Sequence, residues 1–503
     1  MMLLKEIISN NSFLEKELGK INSLFLNLQV SGITSNSKEV NLDFIFVAIK
    51  GKKFDGTKYI NEAIANGAKC IISDSNNKDN NIIKVKEGSC RRIYALLASA
   101  FYKNQPAQIV GVTGTNGKTS VVEFCRQIWN QAGWRAASMG TLGTKLSENQ
   151  RLKSDLPAIN NLTTFEPSNL YKELNKISNQ EITHLAIEAS SHGIDQCRLD
   201  GIKFSGAVFT NLSHDHLDYH QNMKNYFDVK KNLFIKNLTK NSAVAINIDD
   251  KYGSLLHEEL KKLPLLIITF GENPKADICL KSSNLNSDSI NLNLDFNGTK
   301  YTSTLGMIGH FQISNVLAAA AICICLGLEA NFVFKSLGYL KPAPGRMQIV
   351  SGHPSGAIII IDYAHSPDAL FSVLNSLKET VKGRLITLFG CGGDRDKAKR
   401  KIMGEVATNN SDQVYITDDN PRTENPSEIR KEILKGCSNA IEISNRDEAI
   451  KDAVSKLKKH DLLLIAGKGH ETFQNIGTES LPFDDYTVTN EAIKNLLVSE
   501  IKN

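Results

Sequence analysis

The chain contains 503 residues, which is enough for about three domains of ~150 residues each. Its 59 lysines and arginines exceed its 54 aspartates and glutamates, so the formal net charge is +5. This excess is too small to indicate a nucleic-acid or membrane surface, and we expect neither kind of partner. The nine cysteines form no C-x-x-C pair, and the N-terminal MMLLKEIISNN lacks the apolar core of a secretory signal. We therefore expect a reduced, cytoplasmic protein.

The first predicted domain spans residues 1–105 and ends in the polar, proline-bearing segment FYKNQPAQ. A central domain over residues 106–339 opens with QIVGV, a buried strand candidate that leads into a glycine loop. Helical spacing then follows at Val121, Val122, Cys125, Ile128, Trp129 and Ala132. Further predicted strands are THLAIEAS (183–190), GAVFTNLS (206–213) and SINLNLDF (289–296), the last followed by the hairpin turn Asn297-Gly298. The apolar run VLAAAAICICLGL, from Val316, is shorter than the ~18 residues of a membrane helix and predicts a buried helix.

The third predicted domain spans residues 340–503 and begins with the linker LKPAPGR. Four apolar runs follow, with helical patterns between them: AIIIID (357–362), RLITLF (384–389), QVYITD (413–418) and LLLIAG (462–467). This alternation predicts a parallel sheet, and the polar loops after the strands (YAHSPD, GCGGDRDK, DNPRTE and KGHET) should meet at its carboxyl edge. The whole chain is thus predicted to be α/β, with an N-terminal α/β domain, a central P-loop ATPase-like parallel-sheet domain and a C-terminal Rossmann-like domain.

The glycine loop IVGVTGTNGKTS departs from the pattern G-x-x-x-x-G-K-[ST], because Val112 occupies the position of the first glycine. A strand, a glycine loop and Lys-Thr opening a helix are nevertheless what a phosphate cradle requires. The residues that we expect to hold ATP here are Gly114, Thr115, Asn116, Gly117, Lys118, Thr119 and Ser120. Lys118 would neutralise phosphate oxygens, and the Thr119 hydroxyl would ligate Mg²⁺. The alternative is a glycine turn that merely caps a helix.

A magnesium site needs a second oxygen donor, and Glu188 at the end of THLAIEAS is placed to supply it. The segment NLSHDHLDYH (211–220) adds three histidines and two aspartates within ten residues. Such a cluster is either a metal or phosphate site or a hydrophilic loop, and its position after a buried strand favours a site. Mg²⁺ is favoured over zinc because neither cysteine nor regular histidine spacing accompanies the cluster.

The loop GVTGTNGKT closely resembles that of the Mur ligase and folylpolyglutamate synthetase superfamily, whose members join a carboxylate to an amine with ATP cleavage. The resemblance to the Mur ligases implies that His216, in DHLDYH, serves a second Mg²⁺. It also implies that Lys230, in NYFDVKKNLF, is an N6-carboxylysine able to hold Mg²⁺ beside the γ-phosphate, so the expected metal ligands are Thr119, Glu188, His216 and Lys230. Lys118, His216 and Lys230 are then the expected catalytic residues. Without the resemblance, Lys230 would be predicted to be an exposed helical lysine.

The N-terminal segments SNSKEV and FVAIKGKKFDGTKYI look like the UDP-binding domain of the UDP-N-acetylmuramoyl-tripeptide synthetases within this family. The resemblance implies that UDP-MurNAc-dipeptide is bound by Ser37, Thr163, Thr164, Ser190, Gln196 and Arg198. Hydroxyl, amide and guanidinium groups suit a sugar, a peptide and a diphosphate. The chain departs from the family at Phe165, where a proline is usual.

Three further segments resemble the family's nucleotide contacts. In GHFQISNVLAAAA, Asn315 is the expected adenine-reading residue, although Gln312 replaces the usual second asparagine. PGRM places Arg346, and DYAHSP places Asp362 and His365, at the nucleotide. Taken alone, Arg346 would be predicted to be a linker arginine.

The segment DNPR (419–422) marks the family members that add meso-diaminopimelate, whereas lysine-adding relatives lack its arginine. A planar guanidinium at Arg422 can grip the extra carboxylate of meso-diaminopimelate, and it would repel the bare ammonium of lysine. The full expected amino-acid site comprises Arg395, Asp419, Asn420, Pro421, Arg422, Gly467 and Glu471. Alone, Asn-Pro would indicate only a turn.

The expected function is therefore an ATP- and Mg²⁺-dependent ligase of peptidoglycan precursor synthesis. It would activate UDP-MurNAc-L-Ala-D-Glu as an acyl phosphate and add meso-diaminopimelate, acting as a monomer. The alternatives are an L-lysine-adding or folylpolyglutamate synthetase-like ligase, or a P-loop switch or transport ATPase. A folylpolyglutamate synthetase lacks the UDP-binding domain and DNPR, and an ATPase leaves the C-terminal loops unexplained.

Overall fold

A computed structural model of the chain describes residues 1–9, 11–18, 21, 23–51, 55–75, 81–146, 162–286 and 289–502. Residues 52–54, part of the N-terminal segment quoted above, lie outside the described residues. The elements form three successive groups, each built around its own main sheet.

The first group surrounds a four-stranded parallel sheet of order β3-β4-β5-β6. Its elements are β1 (Met2–Leu3), α1 (Leu4–Ser9), α2 (Ser12–Leu18), α3 (Ser23–Leu26), β2 (Gln29–Val30), β3 (Gly32–Thr34), β4 (Phe44–Ala48), α4 (Ile60–Ala65), β5 (Ala68–Ser73), β6 (Ile82–Lys84) and α5 (Cys90–Tyr102). Short 3-10 helices span Ser37–Glu39 and Gly56–Tyr59. Helix α5 packs its apolar face, including Ile93 and Leu97, into the core of this group.

The second group contains a ten-stranded sheet of order β16-β15-β14-β13-β12-β11-β7-β10-β8-β9. Its elements are β7 (Gln108–Thr113), α6 (Lys118–Gln131), β8 (Ala136–Gly140), β9 (Gly143–Leu146), α7 (Pro167–Asn179), β10 (His184–Glu188), α8 (Ser191–Asp195), β11 (Gly206–Phe209), α9 (Leu217–His220), α10 (Met223–Lys236), β12 (Ala243–Asn247), α11 (Lys251–Leu260), β13 (Leu266–Gly271), β14 (Ile278–Leu285), β15 (Ile290–Phe296), β16 (Thr299–Leu305), α12 (Phe311–Cys325) and α13 (Ala330–Ser336). In this sheet the neighbouring strands β8, β10, β7, β11, β12, β13 and β14 run parallel. Strand β9 pairs antiparallel with β8, and β15 pairs antiparallel with both β14 and β16. The predicted apolar helix is α12, which packs in the core with α6.

The third group contains a six-stranded sheet of order β17-β18-β22-β19-β20-β21, parallel except for β17. Its elements are β17 (Gln348–Val350), β18 (Ile358–Asp362), α14 (Pro367–Lys378), β19 (Leu385–Phe389), α15 (Ala398–Asn410), β20 (Gln413–Ile416), α16 (Pro426–Leu434), β21 (Ile441–Glu442), α17 (Arg446–Ser455), β22 (Leu462–Ala466), β23 (Phe473–Ile476), β24 (Glu479–Pro482) and α18 (Asp485–Lys502). Strands β18, β22, β19 and β20 are adjacent, so the loops after them leave the same edge of the sheet.

The predicted α/β class with three domains is confirmed, and each predicted strand is present. The prediction for 206–213 was too long, because β11 ends at Phe209 and the next residues bind the glycine loop. Thr210 Oγ1 donates to Asn116 O (2.7 Å), and Asn211 Oδ1 accepts from the N–H of Asn116 (2.9 Å). Within the described ranges, every helix is too short or too polar to cross a bilayer.

Candidate functional site

The glycine loop connects β7 to the N-terminus of α6. Val112 is fully buried within β7, so the turn begins later than in the standard motif and uses Gly114 and Gly117, both at positive φ (149° and 85°). A Cβ at Gly114 would lie 1.9 Å from Thr210 Oγ1, and one at Gly117 would lie 2.2 Å from Asn315 Oδ1. Only glycine fits these positions, and the loop presents the amide groups at the start of α6 as an anion cradle.

Lys118 folds back over this loop. Its Nζ donates to Gly114 O (2.9 Å) and Thr115 O (2.8 Å). Desolvation lowers the pKa of Lys118, while the carboxylates of Glu188 and Asp215 oppose that shift. A cation held at the mouth of the cradle can neutralise phosphate oxygens without first being drawn in from solvent.

Glu188 lies at the carboxyl end of β10, next to the glycine loop. Its Oε1 accepts from Thr119 Oγ1 (3.0 Å) and from the N–H of Thr141 (2.9 Å), and its Oε2 accepts from Thr141 Oγ1 (3.2 Å). The carboxylate is buried, at 1% exposure. A buried carboxylate beside a hydroxyl and a phosphate cradle is a set of hard oxygen donors, which suits Mg²⁺.

Lys230 is 1% exposed, so the interpretation as an exposed helical lysine is wrong. Its Nζ donates to Gly114 O (2.8 Å) and lies 4.7 Å from the centre of the Tyr226 ring. Burial lowers the pKa of Lys230 well below its ordinary value, with Lys118 acting in the same direction and Asp215 against it. A lowered pKa makes the neutral amine available, and that is the form that adds CO₂.

The segment NLSHDHLDYH borders the glycine loop through Asn211 and Ser213, which bind Asn116 and Thr115. His216 adopts a positive φ of 53°, its N–H donates to Asp215 Oδ1 (2.8 Å), and its ring packs edge-on against His192 (5.1 Å). Across the parts of the chain that the structure describes, no three His, Cys, Asp or Glu side chains form a metal-binding group. Mg²⁺ is usually held by one or two protein carboxylates together with substrate phosphate and water oxygens, and Glu188 is such a carboxylate.

Residues from α12 and from the third group approach the same loop. Asn315 is buried, and its Nδ2 donates to Gln312 Oε1 (3.0 Å), so the replacement Gln312 fixes the orientation of the Asn315 amide. Arg346 Nη2 donates to Thr119 Oγ1 (3.3 Å), and its guanidinium stacks over the Tyr363 ring at 4.5 Å. Arg346 is thus no mere linker arginine, because it joins the second and third groups at the phosphate cradle.

Asp362 and His365 have different surroundings. Asp362 is buried and accepts from the N–H groups of Met347 and Ala364 (both 2.8 Å). Burial raises the pKa of Asp362, and Arg346 opposes this shift. His365 lines the large cavity described below, and its Nδ1 lies 2.8 Å from Tyr363 O.

The residues expected to hold a UDP-MurNAc-dipeptide lie in two places. Ser37, in the first group, donates through Oγ to Glu62 Oε2 (2.9 Å). The hydroxyl of Thr164 is bound to Glu188 O and to Ser190 Oγ (both 2.9 Å). Both hydroxyls are thus engaged within the protein.

Arg198 is the charged member of this set. It donates to Thr164 O (2.7 Å) and to Gln196 Oε1 (2.8 Å), and it forms an ion pair with Glu166 (2.8 Å). Thr163 accepts from Thr141 Oγ1 (3.3 Å). Thr163, Thr164, Ser190 and Arg198 line the large cavity, whereas Ser37 and Gln196 are not among its described lining residues.

That cavity has a volume of about 1860 Å³ and opens between the second and third groups. All four predicted C-terminal loops reach it, including Tyr363, Arg395, Arg422 and Glu471. His216 and Arg198 line its other side. The sheet order explains the meeting of the loops, since ligands bind beyond the carboxyl ends of parallel strands.

The segment DNPR forms part of the cavity wall. Arg422 adopts a positive φ of 52°, its N–H donates to Asn475 O (3.0 Å), and its Nη1 donates to Gly393 O (2.7 Å). A Cβ at Gly392 would lie 2.8 Å from that Nη1, so glycine admits the guanidinium. The hairpin β23–β24 thus holds the Arg422 backbone in a strained conformation, with the side chain in the cavity wall.

The other members of the expected amino-acid site surround Arg422. Asn420 Nδ2 donates to Glu471 Oε2 (2.7 Å), and Asn420 N–H donates to Asp419 Oδ1 (2.6 Å). Gly467 has a φ of 109°, and a Cβ there would lie 2.8 Å from Asp419 Oδ2. Arg395 is exposed and donates to Asp394 O (3.3 Å).

Sequence reasoning missed two contributors to the site. Thr141, which follows β8, supplies two of the three described hydrogen bonds to the Glu188 carboxylate. Lys468 lies between Asn420 and Glu471 and is fully buried. The lysine in the segment KGHET was a usable signal for the second, since a lysine between two glycines after a buried strand is an unusual loop residue.

Three family models match the chain: the Mur ligase family catalytic domain over residues 29–102, the Mur ligase middle domain over 112–323 and the Mur ligase glutamate ligase domain over 345–469. A protein of Bradyrhizobium diazoefficiens, named UDP-N-acetylmuramoyl-L-alanyl-D-glutamate--2,6-diaminopimelate ligase, is 40% identical over 503 residues. The alignment covers 99% of this chain and 100% of that relative.

Solved structures agree with these matches. A structure of a UDP-N-acetylmuramoyl-L-alanyl-D-glutamate--2,6-diaminopimelate ligase superposes with a TM-score of 0.69 at 30% identity and covers 99% of both chains. MurF ligase from Thermotoga maritima, solved in complex with ADP, shares the fold with a TM-score of 0.61 at 21% identity, covering 94% of this chain and 98% of its own.

Proposed function

The chain belongs to the Mur ligase family, and we propose that it joins meso-diaminopimelate to UDP-MurNAc-L-Ala-D-Glu with cleavage of ATP, in peptidoglycan precursor synthesis. The observation that carries the proposal is the shared cavity. Arg422 and Glu471 line one side of it, and Arg198 and His216 line the other. The names of the similar ligases support the same substrates.

The reaction that we propose has two steps. An oxygen of the terminal D-Glu carboxylate attacks the γ-phosphorus of ATP, which gives an acyl phosphate and releases ADP. The amine of meso-diaminopimelate then attacks the acyl carbon, phosphate leaves, and the amine loses a proton as the amide forms. Such phosphoryl transfer depends chiefly on alignment and charge neutralisation.

We assign the charge neutralisation first to Lys118, whose ammonium lies at the cradle. The amides of the glycine loop and of the first residues of α6, from Gly114 to Ser120, would hold the phosphates. Asn315, Arg346, Asp362 and His365 complete the ATP site that we propose. Arg346, in the linker before β17, contributes because its Nη2 reaches Thr119 Oγ1.

The residues that would hold Mg²⁺ are Thr119, Glu188, His216 and Lys230 in carboxylated form. The buried Thr119–Glu188 pair fits a hard cation. When bound, the ion would supply positive charge beside the transferring phosphate. The buried Lys230 amine at Gly114 O supports the proposed carbamate, since a carbamate there would be a further oxygen donor at the cradle.

Acceptor selectivity follows from the DNPR segment. The Arg422 guanidinium would bind the far carboxylate of meso-diaminopimelate, with Asn420 helping, and Glu471 would bind the ammonium next to it. L-Lysine lacks that carboxylate and would leave Arg422 facing a cation. We therefore propose the diaminopimelate-adding ligase over the lysine-adding one. Asp419, Pro421, Gly467 and Arg395 complete the site that we propose.

We also propose the remaining substrate contacts, the domain boundaries and the cellular compartment. Ser37, Thr163, Thr164, Ser190, Gln196 and Arg198 would hold UDP-MurNAc-L-Ala-D-Glu. We divide the domains at residues 105/106 and 339/340, between α5 and β7 and between the 3-10 helix Leu337–Tyr339 and β17. Nine free cysteines support a reducing compartment, the cytoplasm, where the enzyme would act as a monomer without nucleic-acid or membrane partners.

An isotope experiment tests this function. UDP-MurNAc-L-Ala-D-Glu carrying ¹⁸O in both oxygens of the terminal carboxylate is incubated with the enzyme, ATP, Mg²⁺ and meso-diaminopimelate. We expect one ¹⁸O atom in each phosphate released and the other in the new amide. Unlabelled phosphate without an amide product would contradict the proposal and would favour the switch or transport ATPase.

A further inference from the structure

Lys468 is a fully buried lysine in the loop between β22 and β23. Its ammonium donates to three acceptors: Asn420 Oδ1 (3.1 Å), Glu471 Oε2 (3.1 Å) and Phe473 O (2.6 Å). A lysine ammonium has three donors, so all of them are used. Lys468 is not among the described residues that line the cavity, whereas all three of its acceptor residues are.

The contacts of Lys468 determine which way the Asn420 amide points. Asn420 Oδ1 accepts both from Lys468 Nζ and from the N–H of Asn475 (2.9 Å). With two donors at the oxygen, a flipped amide would place NH₂ against an ammonium and an N–H. The amide nitrogen is therefore directed to Glu471 Oε2 (2.7 Å), as the structure shows.

The same ammonium holds the Glu471 carboxylate. Among the described residues, both side-chain donors to Glu471 bind Oε2, so Oε1 is the oxygen available to a substrate cation. The Lys468 ammonium is fully buried and the Glu471 carboxylate is 20% exposed, so removal of the ammonium would leave the Asn420 amide as the one described side-chain donor to that carboxylate. The orientation of Glu471 therefore depends on Lys468.

The backbone of the loop leaves Lys468 little alternative. Gly467 and Gly469, on either side, have φ values of 109° and 56°. A Cβ at Gly469 would lie 2.7 Å from Tyr363 Cβ and 2.8 Å from Gly345 O, so the loop packs tightly against the residue that follows β18 and against the linker LKPAPGR. This arrangement directs the intervening side chain into the domain.

We propose that Lys468 is a positioning residue for the acceptor amino acid: it fixes the Asn420 amide and the Glu471 carboxylate that bind the far end of a 2,6-diamino dicarboxylic acid. This inference rests on the proposed function. It predicts that loss of the Lys468 ammonium weakens binding of the acceptor and leaves ATP binding intact.

The test compares Lys468→Met, which removes the ammonium, with Lys468→Gln, which keeps amide donors without charge. For each variant and for wild type, KM for meso-diaminopimelate, KM for ATP, kcat and the thermal midpoint are measured. We expect KM for meso-diaminopimelate to rise by about 10-fold or more, as for loss of a charged hydrogen bond, with KM for ATP within about 2-fold. An unchanged KM for meso-diaminopimelate in either folded variant overturns the proposal.

Arg384→Met is the matched control for damage to the domain. Arg384 donates through Nε to Asp461 Oδ2 (3.1 Å), at the opposite end of the same sheet. It should lower the thermal midpoint and leave the KM for meso-diaminopimelate unchanged. If this control raises that KM as much as Lys468→Met does, positioning by Lys468 is overturned.

A double variant covers the case in which both Lys468 variants fail to fold. Lys468→Met with Glu471→Gln buries no unpaired charge. Positioning of Asn420 predicts a higher KM for meso-diaminopimelate in the double variant than in Glu471→Gln alone, and an equal KM overturns the proposal. A wild-type enzyme that forms no amide product would instead overturn the proposed function.

Discussion

The hydroxyl of Thr119 lies 3.0 Å from Glu188 Oε1 and joins the first turn of α6 to the carboxyl end of β10. The two residues are 69 positions apart in the chain, and the parallel pairing of β7 with β10 brings them together. Arg346 reaches the same hydroxyl from the third group. The phosphate cradle, the proposed metal donors and the C-terminal domain therefore meet at Thr119.

Glu188→Gln should lower kcat by about 100-fold or more, because a neutral amide cannot balance the positive charge of the Mg²⁺ proposed to lie beside the phosphates. Steady-state kinetics at saturating ATP and several Mg²⁺ concentrations measure this effect. Glu123→Gln is a suitable control: Glu123 is buried on α6 and accepts from Ser138 Oγ (3.1 Å), but it lies outside the proposed site. Equal losses in the two variants would contradict the role of Glu188.

Lys230→Met should lower the ligase activity by on the order of 100-fold. It should also stabilise the folded protein at pH 7 in CO₂-free buffer. Burial lowers the pKa of Lys230 in the folded state. Below about pH 10.4 this lysine is protonated in the unfolded chain, and its buried site in the folded protein disfavours that proton. The lysine therefore lowers the free energy of unfolding at these pH values. The difference in thermal midpoint should narrow as pH rises towards that value. A variant less stable than wild type at pH 7 would contradict this account.

The carbamate on Lys230 has its own measurement. In buffer equilibrated with ¹³CO₂, wild type should show a carbamate carbon signal by NMR, and Lys230→Arg should lack it. Addition of CO₂ to the neutral amine forms the N–C bond and releases one proton. A spectrum without that signal in wild type, under conditions in which the enzyme is active, would exclude the modification.

Arg422→Ala should raise KM for meso-diaminopimelate by on the order of 100-fold and remove most of the discrimination against L-lysine. Arg422→Lys keeps a positive charge without the planar pair of donors, so it should lie between wild type and alanine. Competition between the two amino acids in one reaction, followed by mass spectrometry, measures the ratio. Unaltered selectivity in Arg422→Ala would show that another residue reads the far carboxylate.

Arg446→Met should destabilise the protein by about 3–5 kcal/mol, because it leaves a buried carboxylate unpaired. Arg446 and Asp485 are both fully buried, and Nε of the arginine donates to Asp485 Oδ1 (2.8 Å). Urea unfolding gives the difference. The double replacement Arg446→Met with Asp485→Leu should recover much of the loss, whereas equal losses in the single and double variants would contradict an ion-pair origin.

The strands and the meeting of the C-terminal loops were predictable because both follow from local pattern. Short apolar runs such as AIIIID and LLLIAG form buried parallel strands, and the polar residues after them lie at one edge. The glycine loop was predictable for the same reason, since its strand, turn and helix are contiguous in the chain.

The long-range pairs were not predictable from the sequence. The sequence around Lys230 does not show that this residue lies on the buried side of α10, with its Nζ at Gly114 O. Only the family resemblance suggested a role for it. The hairpin β23–β24 binds the Arg422 backbone across more than fifty residues of chain, through Asn475 O and the N–H of Gly477. Sequence spacing contains no information on which of these groups meet, because packing between elements decides it.

The most direct test of the function supplies ATP, Mg²⁺ and UDP-MurNAc-L-Ala-D-Glu with either meso-diaminopimelate or L-lysine, and follows phosphate release and product mass. We expect a UDP-linked tripeptide, with one phosphate released per amide bond, when meso-diaminopimelate is present and little product with L-lysine. Equal product with L-lysine would contradict the selectivity assigned to Arg422. Phosphate release without product from either amino acid would contradict the ligase function itself.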